Sequence, residues 1–157
     1  MNAAFTSLRV IALACSLCAL TAVNLPAAGL RVGAAAAAFQ ATDDMVIGGS
    51  IGPGKLRGQE GELRAVAVVL QKDKAKLAIV ACDVLMLNRD LLDPVAAELE
   101  RTTGIPSANI LINCTHTHHA PSTVTVHGYS RDETFCKEVQ RGIVKAVQTA
   151  NAQLVDD

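Results

Sequence analysis

Two apolar runs, "LRAVAVVLQ" at 63–71 and "KLAIVACDV" at 76–84, constrain this chain more than anything else in it. Both are short and rich in Val, Ile, Leu and Ala, and only the charged "KDKA" separates them. Runs of this kind form strands, and a four-residue polar break suits a hairpin. They are expected as an antiparallel pair, largely buried on both faces.

The next segment turns the hairpin into something larger. After "MLNR" at 86–89, Asp93 can cap a helix, Pro94 suits its first position, and Gly104 ends it before Pro106. Val95, Ala96 and Leu99 fall on one face of that helix. A helix joining two buried strands is a crossover, so "NILIN" at 109–113 is expected to return parallel to "KLAIV" with the usual right hand. Further on, Ser130 and Glu133 have the spacing of a capping box, opening a helix that runs to about Ala150. Its apolar face is Phe135, Val139, Ile143, Val147 and Ala150. The fold class is therefore α/β: an antiparallel hairpin, a β-α-β crossover and a C-terminal helix, forming part of a larger α/β domain.

Three regions divide the 157 residues. Residues 1–28 pair one positive charge, Arg9, with the apolar "VIALACSLCALTAV" and then small residues, the outline of a secretory signal peptide. The apolar run is shorter than the roughly 20 residues of a spanning helix. Cleavage would give a secreted or periplasmic protein; without cleavage the segment is a membrane anchor. Residues 29–42, with "GLRVGAAAAAFQA", are low in complexity and read as a linker, disordered or weakly helical. Residues 43–157 are the organised domain. It opens on "MVIGGSIGPGKLRGQEGE" at 45–62, which holds six of the eleven glycines. Its spacing fits neither a P-loop nor a dinucleotide fingerprint; it is a long surface loop or the backbone wall of an active site.

Composition removes some partners. Fourteen basic residues against fifteen acidic ones, with no basic run, leave little to neutralise nucleic-acid phosphates. Beyond the leader three cysteines remain, Cys82, Cys114 and Cys136, an odd number without a CxxC motif and so no disulfide framework. They read as small buried apolar residues, with Cys114 and Cys136 the pair that could be bridged.

The chemistry concentrates at "ILINCTHTHHAPS", residues 110–122, where His116, His118 and His119 occupy four positions at the end of a buried strand. In extended backbone His116 and His118 project to one side while Thr117 and His119 project to the other. Two adjacent imidazoles suit one divalent metal, zinc above all, or one ligand beside a hydrogen-bond donor. The crossover puts them beside the end of the strand that carries Asp83, the edge where open α/β sheets place ligands. Asp83 is there either a capping acceptor for a loop or a partner for a histidine. His127 and Tyr129 follow in a polar loop. Ala120 and Pro121 do not fit the metallo-β-lactamase pattern, and two strands and a helix before the motif do not fit an amidohydrolase barrel.

Residues 114–121, Cys-Thr-His-Thr-His-His-Ala-Pro, resemble the G-T-H-T-H-x-x-P hallmark of the neutral/alkaline, non-lysosomal ceramidases, and the order of elements over 45–151 is similar to their N-terminal domain. Cys114 stands where that family has glycine, and His119-Ala120-Pro121 where it has an S-G-P-like continuation. The resemblance implies that His116 ligates a catalytic zinc ion and that His118 hydrogen-bonds the substrate or its oxyanion. Asp83, His119, His127 and Cys114 are accessory candidates. It implies a lipid amide substrate such as ceramide, met at a membrane surface and hydrolysed at its N-acyl bond. The family's remaining zinc ligands and its active-site serine lie far downstream of this motif, so the chain reads as the N-terminal segment of such an enzyme, inactive alone. The alternative is a small exported metal-binding or non-catalytic fragment domain. Either way its open sheet edges are expected to make it aggregation-prone.

Overall fold

The computed structural model describes residues 29–156, so the signal-peptide reading of 1–28 lies outside the described residues. One five-stranded sheet carries the fold. Its strands are β1 (Arg31–Phe39), β2 (Leu63–Lys72), β3 (Ala75–Cys82), β4 (Ile110–Cys114) and β5 (Val155–Asp156), in the spatial order β4-β3-β2-β1-β5. The expected hairpin is β2 and β3, antiparallel with Ala65 opposite Cys82 and Lys72 opposite Ala75. β4 lies parallel to β3, with Cys114 opposite Cys82, as a crossover requires. The connecting helix is α1 (Arg89–Thr103), and the long helix after the histidines is α2 (Glu133–Ala152).

The linker reading of 29–42 is corrected: β1 runs through its middle, paired with β2 from Arg31↔Gln71 to Phe39↔Leu63 and with β5 on its other side. Alanine has little intrinsic preference for strands, but here its small size is what the packing requires. α2 crosses β1 so closely that a Cβ on Gly33 would lie 2.0 Å from the Ala150 carbonyl oxygen. A side chain at position 33 would hold the helix away.

Burial on both faces is corrected too. Ala37, Phe39, Ala65, Ala67, Val69, Ala78, Val80 and Cys82 alternate inward beneath α2, with Val95 and Leu99 of α1 in the same core. The opposite face carries Val66, Leu77, Ile79 and Leu111 and is open, Leu111 being 51% exposed. Both helices start elsewhere than the sequence signals suggest. α1 begins four residues before Asp93, with Asn88 at its N-cap, and takes Pro94 inside it. Pro94 is on the exposed side, where a backbone carbonyl without its helical partner is met by water. Gly104 closes α1 in the left-handed conformation, as read. At α2 the capping box gives way to Asp132, whose carboxylate accepts from the Phe135 N–H at 2.8 Å. Asp132 sits one residue before the helix and needs no partner glutamate to cap it.

Candidate functional site

The parallel pair β3/β4 builds the site, because its ladder does not stop where the strands do. The Thr115 N–H donates to the Cys82 carbonyl at 2.9 Å and the His116 N–H to that of Val84 at 3.1 Å. His116 then turns into the left-handed region, φ 61°. A non-glycine residue there is strained and is held by its surroundings. Its holder is the turn after β3: the imidazole Nδ1 lies 2.9 Å from the Leu85 carbonyl oxygen. A carbonyl only accepts, so Nδ1 carries a proton; in the neutral ring Nε2 then keeps its lone pair, on an exposed side chain. A hydrogen bond from one ring nitrogen to a carbonyl fixes an imidazole's tautomer and orientation. The turn is itself fixed, since the Thr123 hydroxyl donates to the Met86 carbonyl at 2.6 Å.

His118 lies beside it, the two ring centroids 5.2 Å apart and the planes at 74°. The glycine-rich stretch supplies its other neighbour. Residues 45–56 fold back on themselves through Ile47 N–H to Gly54 O, 2.8 Å, and Leu56 N–H to Met45 O, 2.9 Å. This tongue is stitched to the histidine segment by Gly48 N–H to Ala120 O, 2.9 Å, and Ser122 N–H to Val46 O, 2.8 Å. Gly49, at φ 87°, meets the His118 ring so closely that a Cβ would fall 2.5 Å from Nδ1. The backbone of this loop thus lies directly against the His118 ring, an approach that a residue without a side chain allows.

The other candidates are dispersed. His119 lines a cavity of about 500 Å³ with Asp43, Ile47, Leu56, Glu60 and Leu63, its own N–H donating to the Thr117 hydroxyl. Asp83 caps the hairpin: its carboxylate accepts from the Arg64 N–H at 3.1 Å, and its N–H donates to the Arg64 carbonyl. His127 is exposed at φ 52° with Gly128 at 84°, inside the tight turn closed by the mutual bonds of Val126 and Tyr129. Cys114 shares the helix-covered face with Cys82, and burial raises the pKa of its thiol, so it is held as a thiol rather than a thiolate. All three cysteines are free, the Cys114–Cys136 bridge being absent. Among the described residues no group of three or more His, Cys, Asp or Glu side chains is placed to hold a metal ion. Two imidazoles fit part of a zinc donor set, in which three protein ligands are usual for catalysis.

Sequence reasoning missed three contributors: the Leu85 carbonyl, Gly49 as the wall of His118, and Tyr129, whose hydroxyl reaches 80 residues back to Gly49. Each is a long-range contact, and only the clustering of glycines hinted at any of them.

No family model and no curated protein matches the chain. Solved structures do. A ceramidase complexed with C2 superposes with a TM-score of 0.69 at 23% identity, over 82% of this chain and 22% of the other. The neutral ceramidase from Pseudomonas aeruginosa gives 0.67 at 22% identity, again over 82% and 22%. The chain thus spans about a fifth of the length of these structures. Its described residues have the fold of one segment of the neutral ceramidases.

Proposed function

We propose that this chain is the histidine-bearing segment of an exported, zinc-dependent amidohydrolase resembling neutral ceramidase, acting on the N-acyl amide of ceramide or a related lipid and inactive by itself. The observation that carries the reading is His116, strained at the end of a parallel strand, with Nδ1 anchored and Nε2 free, on a ceramidase-like fold. His116 would hold the zinc ion through Nε2, and His118 would donate to the amide oxygen as it gains charge. Zinc, when bound, polarises a carbonyl and lowers the pKa of a water to about 7. One donor aimed at a developing oxyanion contributes on the order of 3 kcal/mol to the transition state. The uncharged Cys114 thiol keeps out of this set, and Asp83, committed to Arg64, serves the hairpin.

A second reading, a small exported domain that holds metal without turnover, is favoured by the missing third donor among the described residues. Calorimetric titration of the full chain with zinc, beside His116→Ala and His118→Ala, tests the proposal, together with an assay for N-acyl sphingoid amide hydrolysis. The expected result is zinc binding weakened at least about tenfold in His116→Ala, with no turnover by the chain alone. Zinc that binds all three proteins equally would sink the reading. Turnover by the chain alone would show that the local residues suffice.

A further inference from the structure

His116 has a visible anchor, the Leu85 carbonyl, whereas His118 is exposed and its ring makes no hydrogen bond among the described residues. What limits it is the backbone of Gly49 on one side and the His116 ring on the other. Gly49 belongs to a loop, and a loop can only act as a wall if something holds it in place. Tyr129 is placed to do that. Its ring is buried, 6% exposed, and its hydroxyl accepts from the Gly49 N–H at 2.8 Å while donating to the Ser50 carbonyl at 3.2 Å. One hydroxyl thus uses both of its hydrogen-bonding modes on two consecutive residues of the tongue. The tight turn of Val126 and Tyr129 presents the ring, so the clamp and the histidines lie on a single continuous segment, 116–129.

We infer that Tyr129 is a positioning residue for His118: by clamping Gly49 and Ser50 it presses the loop backbone against the imidazole and keeps the ring facing His116. The inference deepens the proposed function and rests on it for the use made of His118. The geometry itself is independent of zinc and of turnover.

The test is nuclear magnetic resonance on the full chain without metal, comparing the wild type with Tyr129→Phe, which removes the hydroxyl and keeps the ring. In the wild type the Gly49 amide is expected to be protected from hydrogen exchange, and the His118 ring to show one set of resonances with cross-peaks to Gly49 and to the His116 ring. In Tyr129→Phe the Gly49 protection should fall about fivefold or more. The His118 ring should lose its cross-peaks and broaden or double, while His116, anchored on Leu85, keeps its resonances. A clamp that merely stabilised the fold would change the exchange rate and leave the two rings as they were. Overturning results are an unprotected Gly49 amide in the wild type, or a folded Tyr129→Phe protein with His118 unchanged. Should the variant not fold, the wild-type readings decide: absent cross-peaks between His118 and Gly49 overturn the inference and present ones support it. Because no reading involves metal, a failed zinc titration would sink the proposed function and leave this result standing.

Discussion

Gly142 on α2 lies directly against the ring of Phe39 on β1: a methyl group at position 142 would sit 2.3 Å from Phe39 Cε1. The ring has nowhere to go, since Phe39 is 1% exposed and Phe135 meets it edge-on, the centroids 6.2 Å apart. Gly142→Ala would gain about 1 kcal/mol of helix propensity but overpack a core contact, which costs ~1–3 kcal/mol or more. The variant is expected to be net destabilised, by about 1–2 kcal/mol in urea unfolding. A stabilised variant would mean that α2 does not lie this close to β1.

The same contact makes β1 part of the core, which decides where the folded unit begins. β1 fills the place between β2 and β5 and supplies Ala37 and Phe39 to the interior. A chain started at residue 43 would leave the edge of β2 unpaired and remove Phe39, one of the largest fully buried side chains, from beneath α2. It is expected to show no cooperative unfolding and poor amide dispersion, whereas a chain started at residue 29 should fold. A cooperative transition in the shorter chain would refute the assignment.

This is also where the sequence was least legible. β2, β3 and β4 could be read because their apolar, β-branched runs are strong local signals, and the crossover between β3 and β4 followed from a helix placed between two buried strands. β1 could not, because "GAAAAAF" has neither strand propensity nor periodicity and is a strand only through its neighbours. The helix starts were misplaced because Asp93-Pro94 and Ser130-Glu133 are good caps in isolation, and the geometry of the crossover and Asp132 overrode them. His116 and His118 could be seen as a pair because their spacing is local. The groups that orient them, Leu85 and Gly49, are 31 and 69 residues away, beyond any local signal.

His116 sets function against stability. At φ 61° any side chain is strained by roughly 1 kcal/mol, and glycine is not. His116→Ala keeps the strain and loses the bond to Leu85, worth about 1 kcal/mol. His116→Gly loses the same bond and relieves the strain. Thermal or urea unfolding should therefore rank the glycine variant about 1 kcal/mol above the alanine variant, with both impaired in zinc binding. Equal stabilities would indicate that position 116 does not stay left-handed in solution.

Alkaline pH should find the cysteines. Burial, helped by the nearby Cys114 and Asp83, pushes the Cys82 thiol from 9.0 up to about 12. The folded pKa is the raised one, so the neutral thiol's contribution is whole below pH 9 and is lost as pH climbs from 9 toward 12. Cys136, raised to about 11, adds to the loss in the same direction. Unfolding measured at pH 7, 9 and 10.5 should show falling stability, with a shallower fall in Cys82→Ala. Below pH 9 Cys82 should also resist a thiol reagent until the protein unfolds; rapid labelling of native Cys82 would contradict its burial.

The open face of the sheet is expected to govern behaviour in solution. Val66, Leu77, Ile79 and Leu111 form an apolar strip across β2, β3 and β4, each 38–51% exposed, on the side away from the helices. An exposed patch of this kind promotes association whatever the stability of the core. Val66→Thr with Ile79→Thr keeps the β-branched shape that suits a strand and makes the strip more polar. Because both side chains are partly exposed, the double variant should cost no more than about 1 kcal/mol. It should also bind less of a hydrophobic dye and sediment as a smaller species at high concentration. If instead the double variant loses several kcal/mol in a manner that depends on protein concentration, the strip is covered in solution by another copy of the chain. The open face would then be an interface, and its side chains would count with the core.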